Sequence, residues 1–506
     1  MSNKLPKFAD LRAFLTFLEG KGQLVRTDRP VSTVLEMTEI HRRLIRGGGP
    51  AVIFERAVTG QGKRAAMPVV LNLFGTMERT AWAMGAEPDG LRELGRRLAF
   101  LRQPEPPKGL KGAWERIPIL REALNMRPRV VTRAPCQQQV FTGHEASLDD
   151  LPIQTCWPGE PAPLITWPLV ITRPPDAPLE DTGACNIGVY RMQKLGARSA
   201  IMRWLAHRGG AMHHRQWKQA GRDMPAAIAI GADPATIMAA VTPVPETLSE
   251  YHYAGLLRGA RGALTRAVTQ DILVPACAEI VLEGTVSITE EGQEGPYGDH
   301  TGYYNSVEPF PVFRLSAITM RRDPLYLTTF TGRPPDEPSV MAQAMNEVFV
   351  PLLQQQFPEI ADFHLPPEGC SYRIGVAAIR KAYPGHARRV MMGLWSYLRQ
   401  FSYTKLLIIV DEDIDVRSWA DVMWALSTRF DASRDLLVVE NTPIDYLDFA
   451  SPKEGLGGKL GLDATTKLGV ETDREWGKVL DMDEDTRARI DALWPELFAA
   501  RPPRMP

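Results

Sequence analysis

Apolar residues at 11, 14, 15 and 18 recur with helical spacing and predict an amphipathic helix over 9–19. The run Gly47-Gly-Gly-Pro50 ends a second helix and precedes a short apolar stretch, 51–54, that reads as a buried strand. The texture then changes. Short runs at 169–172, 186–192, 199–204, 226–230, 278–286 and 312–320 are separated by frequent Gly and Pro, the pattern of a β-barrel or sandwich, with one helix interrupting at 246–258. Towards the C-terminus, helical patterns at 386–401 and 418–429 alternate with runs apolar on both faces, 405–410 and 435–440, which predicts a parallel sheet between helices. Beyond 448 the chain turns glycine-rich and polar and ends in a helix, 484–500, and a proline-rich tail. The predicted organisation is a mixed α+β and α/β chain: an N-terminal α/β region (1–130), a strand-rich region (131–335) and a C-terminal α/β domain (336–506). The charged, proline-rich stretch 102–111 reads as a linker or exposed crossing.

Composition narrows the function classes. Across 506 residues, 59 Lys and Arg balance 60 Asp and Glu, so the basic excess that nucleic-acid binding needs is missing. The five cysteines (136, 156, 185, 277 and 370) are odd in number and form no C-x-x-C pair. They read as free thiols in a reducing compartment and exclude a zinc site built on paired cysteines. No apolar signal core follows the N-terminus, and runs such as 68–73 and 406–410 fall far short of the ~18 residues that span a bilayer. A cytoplasmic protein is expected, with any membrane contact peripheral.

Four stretches can carry chemistry. Glu294-Gly-Pro-Tyr-Gly-Asp299-His-Thr-Gly302 cannot form a helix or central strand and reads as a shaped loop. It can turn both acids into one cavity, where like charges raise one pKa and make a proton donor available; the bland alternative is a solvated turn. In Asn186-Ile-Gly-Val-Tyr-Arg191, Gly188 permits close approach of a ligand and Arg191 offers a fork for carboxylate or phosphate. Asn186 and Arg191 point to opposite faces of a regular strand, so they share a site only across a bulge or strand end. In 199–210, Arg203, Leu205 and His207 fall on one strand face, and with Arg208 and the Gly209-Gly210 turn they are plausible parts of a phosphate and metal site. The pair His213-His214 reads as surface. Glu246 and Glu250 stand in the first turns of the 246–258 helix; Glu250 with Asn186 and His207 would form an oxygen and nitrogen set suited to Mn²⁺ or Mg²⁺. Two motifs fail: Gly455–Lys459 lacks the first Gly and the Ser/Thr of a P-loop, and Asp411-Glu-Asp413 reads as a solvated strand terminus.

On these residues the chain resembles the UbiD-type carboxy-lyases, in particular the branch acting on 4-hydroxy-3-polyprenylbenzoate in ubiquinone biosynthesis. The matching stretches include 186–191, 202–210, 241–251, 294–304, 326–338, 367–373 and 440–452, in order along nearly the whole chain. The resemblance implies a central split β-barrel that binds prenylated FMN, flanked by two α/β regions. It also implies a divalent metal, usually manganese, with potassium as a further cation. Carried over by position, the metal ligands are Asn186, His207 and Glu250. The flavin lies against Val189, Tyr190, Arg191, Arg203, Trp204, Leu205, Arg208 and Gly209. The catalytic set is Arg191, Glu294 and Asp299, with Asp299 standing where many relatives have Glu. The implied partners are a polyprenylated aromatic acid as substrate, a flavin prenyltransferase as cofactor supplier and further copies of the chain in a hexamer. A lipid-tailed substrate is compatible with a peripheral position on the inner face of the cell membrane. Two other classes stay open. A flavin oxidoreductase on a similar barrel would be bleached by NAD(P)H, although no G-x-G-x-x-G fingerprint opens a helix. A silent binding protein would carry neither flavin nor metal.

Overall fold

The computed structural model describes residues 5–102, 123–206, 208–242, 248–397 and 399–497. Most of the expected crossing (103–111), His207, Glu246 and the end of the last helix (498–500) lie outside these residues. The first helix, Leu11–Gly20, is capped by Asp10, whose carboxylate accepts the Ala13 N–H, and it buries Leu11, Phe14, Leu15 and Leu18, the positions its periodicity marks. The N-terminal sheet runs in the order Leu24–Thr27, Ala51–Phe54, Val69–Leu71, Tyr326–Leu327. Its last strand returns from beyond the strand-rich region and pairs in parallel with Val69–Leu71, so one continuous hydrophobic core joins the two regions.

The central sheet explains why a site forms where it does. Its strands follow the order Asn186–Val189, Leu169–Thr172, Met224–Ile230, Ile280–Glu294, Glu308–Met320, Ser199–Met202, Met192–Gly196, Leu164–Ile165, with Gln139–Thr142 also on Glu308–Met320. Neighbours are antiparallel throughout. Asn186–Val189 and Met192–Gly196 are consecutive in the chain yet stand near opposite ends of this order, six positions apart. In a flat sheet six spacings of about 4.8 Å would part them by ~29 Å, whereas a link of two residues reaches at most ~11 Å. The sheet therefore curls into a half-barrel whose split is bridged by Tyr190 and Arg191. This is the strand end that a site shared by Asn186 and Arg191 requires. The strand expected at 278–286 continues to Glu294 through a register shift between Val286 and Glu291, so Glu294 closes a strand and only the residues after it form the loop.

In the C-terminal sheet the order is Ile360–His364, Ile374–Ile379, Leu406–Asp411, Leu456–Ala464, Leu436–Pro443. The three central strands are parallel and both edges are antiparallel. The 435–440 run is thus an edge strand with Val438 exposed, not an interior parallel strand. The interior place belongs to Leu456–Ala464, whose glycines hid it. A Cβ at Gly461 would stand 2.4 Å from Met391 Sδ, so glycine is what lets the helix His386–Tyr397 close on the sheet. The Asp411-Glu-Asp413 segment closes the strand Leu406–Asp411 as a solvated terminus, with Glu412 and Asp413 exposed; Arg429, from the helix Trp419–Arg429, pairs with Asp411 at 2.7 Å and Asp413 at 2.6 Å. All five cysteines are unpaired, and among the described residues no helix is long and apolar enough to cross a membrane.

The long helix Glu337–Gln356 begins with a capping box at Asp336 and Ser339. Glu337 is fully buried; it accepts the Phe74 N–H at 2.5 Å and the Thr329 hydroxyl at 2.6 Å. Burial pushes its pKa from 4.5 up to about 7, against the hydrogen bonds and Arg79. A raised carboxyl contributes stability that is fully present below its unfolded value and is lost as pH rises through the folded one. Glu337→Gln keeps an acceptor for Phe74 and a donor for Thr329 without ionising. We expect its melting temperature, relative to wild type, to rise between pH 5 and pH 8. The shift should correspond to about 3 kcal/mol at most; a pH-independent difference would refute the assignment.

Candidate active site

Arg191 lies at the split of the half-barrel and holds both acids of the 294–302 segment. Its Nε donates to Glu294 Oε1 at 2.8 Å, its Nη2 to Glu294 Oε2 at 3.3 Å and its Nη1 to Asp299 Oδ2 at 3.0 Å. The guanidinium lies over the Tyr297 ring, 5.4 Å from the centroid. Glu294 has no solvent exposure; it also accepts from the Asn305 amide at 3.3 Å, and Arg203 Nε stands 3.2 Å away as an ion pair without a hydrogen bond. The turn that brings Asp299 back needs Gly295 at φ +96° and Gly302 at φ +82°. At Gly298 a Cβ would stand 2.2 Å from Trp157 Cδ1, so the loop packs directly on that indole.

The charge state of Asp299 departs from the expectation of a raised acid. Burial pushes its carboxyl up, but the bond from His300 Nδ1 at 2.7 Å and the positive charges of Arg191, His300 and Arg203 outweigh it. The carboxyl is held well below the ordinary range. Both acids do face one place, as the loop reading requires, but two guanidiniums compensate them, so like-charge repulsion does not dominate.

Past Tyr190, beside the clamp, opens a cleft of about 680 Å³, within the range of cofactor sites; Arg191, expected to touch the flavin, is not among the residues that line it. Asn186, Gly188, Val189, Tyr190, Arg208, Gly209 and Glu250 line it from the barrel side, and Tyr372 and Tyr403 from the C-terminal region. Arg208 caps the helix Gly209–Gln219, whose N-terminal end favours an anion, although the Gly210 N–H already donates to Tyr190 Oη at 3.3 Å. A Cβ at Gly209 would stand 2.0 Å from Asn186 Oδ1, so the amide rests on the helix start. Glu250 accepts the Ile187 N–H at 3.0 Å; burial pushes its pKa up to about 7, and among the described residues no basic side chain pairs with it. A buried carboxylate and an amide oxygen are donors that would suit a hard divalent cation. Among the described residues no cluster of three or more His, Cys, Asp and Glu forms; His207, the third expected ligand, lies outside them. Gly209→Ala should displace Asn186. We expect at least ~10-fold weaker retention of metal and flavin with an unchanged melting temperature of the apo protein, read by metal analysis and flavin absorbance after gel filtration.

Other expected contacts fall differently. The strand Ser199–Met202 ends before Arg203, so Arg203 and Leu205 do not share a strand face. Arg203 turns to the clamp, where it meets Glu294, Glu308 and the Tyr446 hydroxyl. Trp204 packs edge-on against Tyr190, 5.9 Å between centroids, behind the cleft wall, and Leu205 is half-buried outside the residues lining the cleft. His213 is buried against Thr172 Oγ1 at 2.9 Å, and His214 is half-buried with Nε2 2.8 Å from the Ser287 carbonyl. The pair is structural, not surface. Sequence reasoning missed Asn305, Tyr372, Tyr403 and Tyr446. The last three come from the C-terminal region, and no local pattern links them to the barrel; His300 stood in the quoted motif without a role.

Family models match the chain in three consecutive pieces. Residues 15–98 match the N-terminal domain, 129–334 the Rift-related domain and 339–464 the C-terminal domain of UbiD, 3-octaprenyl-4-hydroxybenzoate carboxy-lyase. The chain belongs to the UbiD family of carboxy-lyases. Among solved structures, the closed form of vanillic acid decarboxylase from Sedimentibacter hydroxybenzoicus is similar at 27% identity with a TM-score of 0.82, covering 97% of this chain and 99% of that chain. The UbiD-class enzyme HmfF from Pelotomaculum thermopropionicum, in complex with FMN, is similar at 28% identity with a TM-score of 0.78, covering 94% and 98%. Apo 3,4-dihydroxybenzoic acid decarboxylase from Klebsiella pneumoniae, at 22% identity and a TM-score of 0.74 over 95% and 99%, shares the fold.

Proposed function

We propose that this chain is a prenylated-FMN-dependent decarboxylase whose substrate is a 4-hydroxybenzoate carrying a polyprenyl tail, and that Arg191, Glu294 and Asp299 are its catalytic residues. The observation that carries the reading is the Arg191 clamp at the barrel split, with two buried carboxylates beside a cleft of cofactor size. Asn186, His207 and Glu250 would hold a divalent metal, Mn²⁺ or Mg²⁺. Val189, Tyr190, Arg208 and Gly209 would hold the flavin, its phosphate at the start of the Gly209–Gln219 helix. When bound, the modified flavin supplies the electron sink for C–C cleavage that no side chain here offers. Arg191 fixes both carboxylates by charge-assisted hydrogen bonds, burial of Glu294 keeps water from the pair, and Asp299 delivers the proton that replaces carbon dioxide on carbon. The tail is supported by an aromatic pair beside the acid loop. Tyr303 is 65% exposed and Phe449 55%, with ring centroids 5.8 Å apart, an apolar rim suited to a lipid chain. A homohexamer and a peripheral membrane position belong to the same reading.

The test is made on protein expressed with and without a flavin prenyltransferase. The mass and absorbance of the bound cofactor are recorded, and carbon dioxide release is followed from 4-hydroxybenzoates with and without a prenyl tail. Prenylated flavin and tail-dependent release are expected. Flavin bleached by NAD(P)H with no carbon dioxide released would favour the oxidoreductase, and protein free of flavin and metal would favour a binding role.

A further inference from the structure

We propose that His300 is a positioning residue that supplies Asp299 with the proton it delivers. The inference rests on the decarboxylase reading above and concerns a residue outside the clamp. Asp299 Oδ2 is taken by Arg191 Nη1 at 3.0 Å. Its Oδ1 faces His300 twice, accepting the backbone N–H at 2.8 Å and meeting Nδ1 of the ring at 2.7 Å. Of the groups bonded to the two oxygens, the guanidinium does not give up a proton in a protein and the backbone amide does not titrate. Among the described residues, the imidazole is the one contact that can pass a proton to the carboxylate. Its other nitrogen, Nε2, is buried with no hydrogen-bond partner among the described residues, although most buried polar atoms have one. Asp299 is itself held in the ionised form, so a carboxylate placed to protonate carbon has to be charged from a neighbour before each turnover.

The step balances. The imidazolium N–H bond at Nδ1 breaks and an O–H bond forms at Asp299 Oδ1. That O–H bond breaks as a C–H bond forms on the carbon that lost carbon dioxide. The neutral imidazole, whose side chain keeps 21% exposure although Nε2 itself is covered, then regains one proton from solvent, so each turnover consumes one proton and releases one carbon dioxide, with no change in oxidation state. His300→Asn and His300→Ala separate this role from simple hydrogen bonding, because asparagine can donate to Oδ1 but cannot give up the proton.

The experiment uses holoenzyme with its flavin spectrum and metal content recorded, and a substrate on which the wild type releases carbon dioxide. Both variants are expected to keep the flavin spectrum and a KM within ~2-fold of wild type while kcat falls about 10²-fold. Added imidazole is expected to restore part of kcat in His300→Ala and none in His300→Asn. In the apo protein, a downfield imidazole N–H resonance present in wild type should be missing from His300→Asn and shifted in Asp299→Asn. A His300→Asn variant within threefold of wild-type kcat would overturn the proposal, since a hydrogen bond alone would then suffice; so would His300→Ala insensitive to imidazole. A flavin-loaded wild type that releases no carbon dioxide from any acid tested overturns the decarboxylase reading and this inference with it, a failure visible before any variant is made.

Discussion

Arg191→Met is expected to destabilise the protein by about 3–5 kcal/mol, the cost of leaving a buried carboxylate without its partner, and to abolish turnover. Glu294 has no solvent exposure and takes two of its hydrogen bonds from this one guanidinium. Arg203, 3.2 Å away, is already shared with Glu308 and Tyr446 and compensates only in part. Urea denaturation measures the loss. Adding Glu294→Gln removes the stranded charge, so the double variant should recover much of the stability and none of the activity. Equal instability of the single and double variants would mean that the clamp is not what holds the seam.

Asp299→Asn is expected to lower kcat by roughly 10²–10⁴-fold, the range for loss of a proton-transfer group, with flavin content and KM little changed. The amide keeps an acceptor for Arg191 or His300 and cannot deliver a proton. Turnover at the wild-type rate would remove Asp299 from the proton path, and the role of His300 with it. His300 and two arginines hold the Asp299 carboxyl well below its ordinary range against its burial. That distinguishes this site from one built on like-charge repulsion between two acids.

Local pattern was enough for much of the molecule. The period of Leu11, Phe14, Leu15 and Leu18 specifies a buried helical face whatever lies opposite it, and the run at 405–410 specifies a strand covered on both sides. The 294–302 motif carried its own turn chemistry in Gly295 and Gly302, which is why a loop presenting two acids could be read from it. Strand order could not be read this way. Pairing is set by contacts far apart in sequence, so the edge position of Leu436–Pro443 and the interior position of Leu456–Ala464 had no local signal, and the close packing of Gly461 under Met391 is visible only in the folded chain. The charge of Asp299 was equally a tertiary matter. Two acids five residues apart suggest repulsion, and the outcome turned on His300 beside Asp299 and on Arg191 and Arg203, which stand just past the ends of other strands. The sequence by itself determined most of the helices and strands and the acids, arginines and glycines of the split, but not the glycine-rich strand Leu456–Ala464 or the tyrosines that the C-terminal region brings to the cleft. Only the tertiary structure decided that the sheet curls until Asn186–Val189 and Met192–Gly196 meet, because a link of two residues cannot cross a flat sheet.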